Sequence, residues 1–372
     1  MEVVIQKLDH FGRGICYIDS KICFVEGALP NERVIIEIVK ETKNFIEARC
    51  VHVILESPDR VKPICPYFGE CGGCSLQYMS YSLENKFKEE KVKDIVSRFG
   101  NISPDIVLPI VHHQEYNYRN KITLHGNGSI MGLYKNDSHD IVPIEKCHLV
   151  LPSINEMIPK IPNMKECIIK SSNDGKNILT SMDKGELITT IGDYQYYQSI
   201  SSFFQVNSTL TKELYDEVLR SIQEIQPNQL LDLYCGTGTI GIYVSKYCNS
   251  IIGVDYNSSN IHDACKNAEM NHIANIDFIC DKVENVIDQF QDIDCVIVDP
   301  PRSGLDNKTK DFLKTIASSS IIYVSCDPAT MARDLKDLSD SYDVKYIKPF
   351  NMFPRTSHVE TVSVLCRKTI EK

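Results

Sequence analysis

The chain has 372 residues, 42% apolar and 24% charged, the balance of a folded globular protein with room for two or three domains. A formal net charge of −10 argues against a broad basic surface that grips nucleic acid regardless of sequence, while leaving room for a local basic groove. No run approaches the apolar length of a membrane span, and Met1 to Gly14 carries charge with no apolar signal core, so no membrane partner is expected and the cytoplasm is the expected compartment.

Residues 1–57 read as a small all-β unit. Short β-prone runs at 3–5, 22–25, 34–39 and 51–55 are separated by turns such as Gly12-Arg13-Gly14 and Leu29-Pro30-Asn31, a spacing that suits a five-stranded, oligonucleotide-binding type of barrel. The pattern alone serves a purely structural barrel equally well. Residues 58–203 form a second region that opens on a knot of cysteines between 65 and 74. A helix is expected over 81–99, where Leu83, Phe87, Val92, Ile95, Val96 and Phe99 recur at helical spacing. Its other face, with Lys86, Lys88, Glu89, Glu90, Lys91 and Lys93, is mixed in sign and reads as solvated. Short strands and the aromatic run 194–197 close this region. From 204 to 372, apolar runs at 230–234, 251–255, 276–280, 295–299 and 321–325 mostly alternate with helix-length segments, the pattern of a doubly wound α/β sheet.

The odd count of 15 cysteines argues against a complete disulfide framework. Cys248, Cys280 and Cys295 stand alone among apolar residues and read as small buried hydrophobes. Cys65, Cys71 and Cys74 lie on one tight loop with Gly72 and Gly73, and Cys147 supplies a fourth thiol, with His148 beside it as a substitute. Four thiolates suit zinc or an iron–sulfur cluster, and spacing does not choose between them.

The segment from Leu230 to Gly241 reads as strand, glycine turn and helix start, with Gly236, Gly238 and Gly241 where backbone must approach a ligand. The turn serves a nicotinamide cofactor or S-adenosylmethionine. Asp255 ends the next strand, where a carboxylate accepts from ribose hydroxyls, or merely caps the following helix. Asp299-Pro300-Pro301-Arg302 follows a later strand as a stiff shelf for which a dehydrogenase has no evident use. Amino-group methyltransferases usually place an aromatic residue where Arg302 stands.

In Tyr323-Val324-Ser325-Cys326-Asp327-Pro328 a strand ends on a thiol at the carboxyl edge of the sheet. A thiolate there is a nucleophile. Glu360 opens the apolar run to 365, where an acid is costly unless paired or functional; a surface-edge Glu is the plain alternative. Thiol, carboxylate and methyl donor together suit one reaction. Thiolate addition to carbon 6 of uracil makes carbon 5 an enolate carbon that attacks a methyl sulfonium, and a carboxylate then removes the carbon 5 proton. Cys326 is the expected nucleophile and Glu360 the expected base.

These residues resemble the RNA uracil-5 methyltransferases, and most closely the bacterial 23S rRNA enzymes with an N-terminal TRAM domain. The resemblance spans nearly the whole chain through Gly12-Arg13-Gly14, Phe204-Gln205-Val206-Asn207, Asp232-Leu233-Tyr234-Cys235-Gly236, the Asp-Pro-Pro-Arg shelf, the strand into Cys326, and His358-Val359-Glu360. It implies a Rossmann-like class I methyltransferase domain at 204–372, behind a TRAM-like RNA-binding barrel at 1–57 and a central iron–sulfur domain at 58–203. It implies that Gln205, Tyr234, Asp255 and Asp299 contact S-adenosylmethionine, with Asp281 at the adenine end. It further implies that Cys65, Cys71, Cys74 and Cys147 hold a 4Fe-4S cluster, zinc being the alternative, and that Arg119 and the barrel face RNA. The expected RNA is 23S rRNA, with tRNA second and no obligate protein partner. The opposing reading is a non-catalytic RNA-binding iron–sulfur protein, against which the intact Cys326 and Glu360 speak. Two positions depart from the family, which often has Asn where this chain has Asp327 and Thr239. A carboxylate at 327 is expected to oppose thiolate formation.

Overall fold

The computed structural model describes residues 1–183, 185–316 and 318–369. Its N-terminal strands are β1 (Glu2–Val4), β2 (Lys7–Leu8), β3 (Gly14–Ile18), β4 (Lys21–Glu26), β5 (Arg33–Glu41) and β6 (Phe45–Leu55). They form one sheet in the order β1-β5-β6-β4-β3-β2 around a core that includes Ile5, Cys16, Cys23, Val25 and Val34. The four β-prone runs all fall in or against these strands. The sheet has six strands rather than five, because the two-residue β2 pairs with β3.

Helix α1 (Tyr81–Gly100) starts where Ser80 accepts from the Leu83 amide and ends at Asn101 in a left-handed conformation. Its apolar face belongs to the core of the large sheet, through Val92, Ile95 and Val96. Its polar face agrees with the sequence reading at exposed Lys86 and Glu90 and departs from it at Lys88. Glu84, Asn85 and Lys88 are buried, because they supply partners for a polar loop near the C-terminus rather than meeting solvent.

Strands β7 (Lys121–Gly126), β8 (Met131–Tyr134) and β9 (Ile141–Pro143), helix α2 (Pro152–Met157), and strands β10 (Glu166–Ser171) and β11 (Ile178–Thr180) follow. They build a five-stranded sheet in the order β11-β10-β7-β8-β9. The aromatic run lies in β13 (Tyr194–Gln198), which pairs with β12 (Leu187–Ile191).

The C-terminal region contains α3 (Thr211–Ile225), β14 (Gln229–Leu233), α4 (Thr239–Val244), β15 (Ser250–Asp255), α5 (Ser258–Met270) and β16 (Ile276–Cys280). It continues through α6 (Val283–Val286), β17 (Cys295–Val298), α7 (Asn307–Thr315), β18 (Ser320–Ser325), α8 (Pro328–Leu338), β19 (Tyr342–Phe350) and β20 (Glu360–Arg367). The sheet order is β16-β15-β14-β17-β18-β20-β19, with β20 antiparallel to both neighbours and the first five strands parallel. β17 and β18 are buried along their whole length, which is why they read as near-continuous apolar runs. Connections leave β14 and β17 in opposite directions, so the crevice between their carboxyl ends is the natural ligand position. Cys248 and Cys295 are buried as expected. Cys280 is exposed instead, because β16 is the edge strand. Among the described residues no helix is long and apolar enough to cross a membrane.

Candidate active site

The chain turns directly after β14. Tyr234, Gly236 and Gly238 adopt φ of 62°, 54° and 72°. For a tyrosine this left-handed conformation costs ~1–2 kcal/mol, a strain that persists only where the surroundings enforce it. Its ring packs against the core shared with α1 and α8. A Cβ at Gly236 would meet nothing within 4 Å, so the turn leaves an open cradle for a ligand. At Gly238 a Cβ would strike the Phe278 ring at 2.7 Å.

The strand-end acids surround this turn. Asp255 accepts from the Gly236 amide at 3.1 Å, the Asn257 amide at 2.8 Å and the Asn260 side-chain amide at 3.2 Å. It thereby ties the turn to β15, and the cap of α5 is Asn257 rather than Asp255. Asp281 follows β16 and accepts from the Lys282 amide and the Asn285 side chain at 2.7 and 2.8 Å. Buried Asp232 receives the Gly241 amide at 3.1 Å; burial, and then the charge of Asp299, push its carboxyl up to about 8. Asp299 follows β17, and its loss of solvent pushes it up to about 7. Gln205 is buried on the segment leading into α3, with its carbonyl held by the Asn120 amide group at 3.0 Å. Thr239 opens α4, and its hydroxyl accepts from Tyr215 at 2.8 Å.

Farther along the same edge stands a different kind of corner. Ser325 and Thr361 are the last register pair of β18 and β20 given by the ladder, and the Thr361 hydroxyl donates to the Ser325 carbonyl at 3.2 Å. One step beyond that pair lie Cys326, the first residue after β18, and Glu360, the first residue of β20. Glu360 is not at a sheet edge. It pairs with Phe350 on its other side and is 3% exposed. Burial, and next the charge of Asp299, hold its carboxyl well above the ordinary carboxylate range, with Arg302 opposing. The Cys326 thiol is pushed up to about 11 by burial and then by Glu360, and Asp299 adds to this. Arg302 acts the other way, drawing the thiol down.

Cys326, Glu360, Asp299 and Arg302 thus act on one another directly. Arg302 was not picked out as a site residue from sequence. The signal was available, since a thiol at a sheet edge needs a cation to ionise and Arg302 ends the stiff Asp-Pro-Pro shelf. The Arg302 carbonyl accepts from Thr330 on α8 at 3.1 Å. The Asp327 carboxylate accepts from the Ala329 and Thr330 amides at 3.0 Å and caps α8. Arg119 lines the cysteine cavity beside Cys147, with its Nε donating to the Lys121 carbonyl at 2.9 Å.

The four thiols expected to act together do line one cavity of about 370 Å³. Burial raises Cys71, Cys74 and Cys147, Cys74 to about 12, and their mutual charges add to the rise. His148 lines the same cavity, and its buried Nε2 has no hydrogen-bond partner. Among the described residues, no group of three or more His, Cys, Asp or Glu is arranged to hold a metal ion.

Comparison with known proteins agrees with this geometry. Residues 163–368 match the family described as tRNA (uracil-5-)-methyltransferase, and residues 1–51 match the TRAM domain. An uncharacterised RNA methyltransferase of Halalkalibacterium halodurans is 31% identical over 98% of this chain and 96% of its own. Another from Staphylococcus aureus is 32% identical over 97% of this chain and 96% of its own. The fold matches that of Pyrococcus abyssi tRNA (uracil-54, C5)-methyltransferase, solved with S-adenosyl-L-homocysteine, with a TM-score of 0.79, 24% identity, and coverage of 98% of this chain and 100% of that one. The chain therefore belongs to the RNA uracil-5 methyltransferase family of S-adenosylmethionine-dependent enzymes, with a TRAM domain at its N-terminus.

Proposed function

We propose that this enzyme forms 5-methyluridine in RNA, with Cys326 as covalent nucleophile and Glu360 as general base. The observation that carries the reading is the step beyond the β18–β20 ladder, which faces the thiol with a buried acid at the ligand-binding edge of the sheet. S-Adenosylmethionine supplies the methyl group as a sulfonium. Cys326, ionised with help from Arg302, adds to carbon 6 and leaves the electron pair at carbon 5. After methylation Glu360 takes the carbon 5 proton, the carbon 5–carbon 6 double bond re-forms, and the sulfur leaves as thiolate. An acid held high by burial is a stronger base than an exposed one, which suits abstraction from carbon. Tyr234 and Asp255 hold the cofactor at the glycine turn, Asp299 stands between it and the thiol, and Gln205 and Asp281 flank it.

The expected division holds the TRAM-like barrel at 1–57, a central region at 58–203 and the methyltransferase domain at 204–372. In the central region Cys65, Cys71, Cys74 and Cys147 would hold a 4Fe-4S cluster. What supports the reading is that the four thiols line one cavity; four thiolates suit zinc as well, which stays the alternative. The barrel and the four cysteines favour 23S rRNA as substrate. A second reading, the T-loop of tRNA, draws on the shared fold with the Pyrococcus tRNA enzyme.

The test uses RNA from cells lacking the gene, S-adenosylmethionine, and wild-type or Cys326→Ala protein. The variant is expected to make no 5-methyluridine; undiminished product overturns the assignment. Mapping the sites that disappear on deletion, in 23S rRNA or in tRNA, decides between the two substrates.

A further inference from the structure

The residues that carry the expected base, 351–359, form the connection between β19 and β20. Five of its nine carbonyls are held by donors from other parts of the molecule. The Asn207 side chain donates to Met352 O at 3.1 Å, and Lys88 of α1 to Phe353 O at 3.0 Å. The Tyr118 hydroxyl donates to Pro354 O at 3.0 Å, and Lys91 to Ser357 O at 2.7 Å. The Arg355 carbonyl accepts from the amides of Ser75 and Leu76, at 3.0 and 3.1 Å. Those two residues directly follow Cys74.

Arg355 itself is the centre of this arrangement. It is 3% exposed and sits at φ 67°, a conformation that a long side chain keeps only when its surroundings impose it. Its amide donates to Glu84 at 2.9 Å, its Nη1 to the Met79 carbonyl at 2.8 Å, and its Nη2 to Glu115. Its guanidinium lies 5.4 Å from the Tyr81 ring and 5.2 Å from the Tyr116 ring. The side chain therefore clamps α1 and the segment after the cysteine knot, while the main chain runs on through Val359, fully buried, into Glu360.

We infer that Arg355 is a positioning residue that sets the general base relative to the substrate and ties that position to the loop of Cys65, Cys71 and Cys74. The inference rests on the proposed roles of Cys326 and Glu360. Cys326 follows β18, whose register pairs do not include Arg355, so the clamp acts more strongly on the proton-removal step than on thiol addition. Misplacing a catalytic group by ~1 Å costs up to about 10²-fold in rate.

The experiment separates these steps in the full-length protein with RNA from cells lacking the gene. A denaturation-stable protein–RNA adduct reports addition and methylation; released 5-methyluridine reports completion. Arg355→Met is expected to form adduct at the wild-type rate and to release product at least about ten-fold more slowly, so that methylated adduct accumulates. Arg355→Lys should recover part of the release rate. Glu115→Gln, which removes one anchor from a partly exposed position, should show the same split at about three-fold and keeps the test open if Arg355→Met does not fold. Cys74→Ala should also slow release more than addition. Equal loss of both steps in the folded variants, or no change in either, overturns the inference. A wild-type protein that forms neither adduct nor product overturns the proposed function itself, and this inference with it.

Discussion

The two halves of the ligand edge handle their acids in opposite ways. At the end of β15, Asp255 is already surrounded by donors from Gly236, Asn257 and Asn260. At the start of β20, Glu360 is buried beside Asp299, with only Arg302 to offset the charge. A group that binds is best fixed in advance by its own hydrogen bonds. A group that moves a proton is best kept where its charged form is costly, so that its basicity is raised. The contrast fits the proposed roles, with Asp255 in a binding half of the edge and Glu360 in a chemical half.

Replacing Glu360 with Gln gives the largest test of that separation. Turnover should fall by about 10²–10⁴-fold, while cofactor affinity, measured by calorimetry, stays within about two-fold. Adduct with RNA should still form. A parallel loss of cofactor binding would dissolve the division. Asp255→Ala should do the reverse. Loss of charge-assisted contacts should weaken cofactor binding about 10- to 100-fold, with single-turnover chemistry at saturating cofactor little changed.

Arg302→Ala gives the smallest effect and the one most sensitive to pH. The Cys326 thiol sits at about 11 in the protein alone, and thiolate is the reactive form, so adduct formation should rise with pH through the alkaline range. Arg302 lowers that value, so its removal should move the alkaline limb to still higher pH. At pH 8 adduct formation should slow by about ten-fold. An unmoved profile would mean that the cation serves RNA rather than the thiol.

Much of the cofactor half could be read from contiguous residues. A glycine turn between strand and helix, and an acid at the next strand end, are local patterns, and local patterns survive as sequence. The proposed nucleophile and base stood out too, since each broke an apolar run at a strand end, and the structure brings the two positions to one corner. The β-unit, the cysteine knot and helix α1 were found where spacing placed them. The buried face of that helix was not. Lys88 looked like one more charge on a solvated surface, yet its partner Asn351 lies 263 residues away.

The sequence alone determined which residues could bind and react, because strand ends and glycine turns are dictated within a few positions of backbone. Tertiary structure decided what each would feel. It faced Cys326 with Glu360, brought Arg302 near enough to lower the thiol, turned the Asp327 carboxylate into a helix cap, and pulled Lys88 and Arg355 out of water to hold the loop before Glu360. Desolvation and charge pairing depend on groups far apart in the chain, and no short window of residues records them.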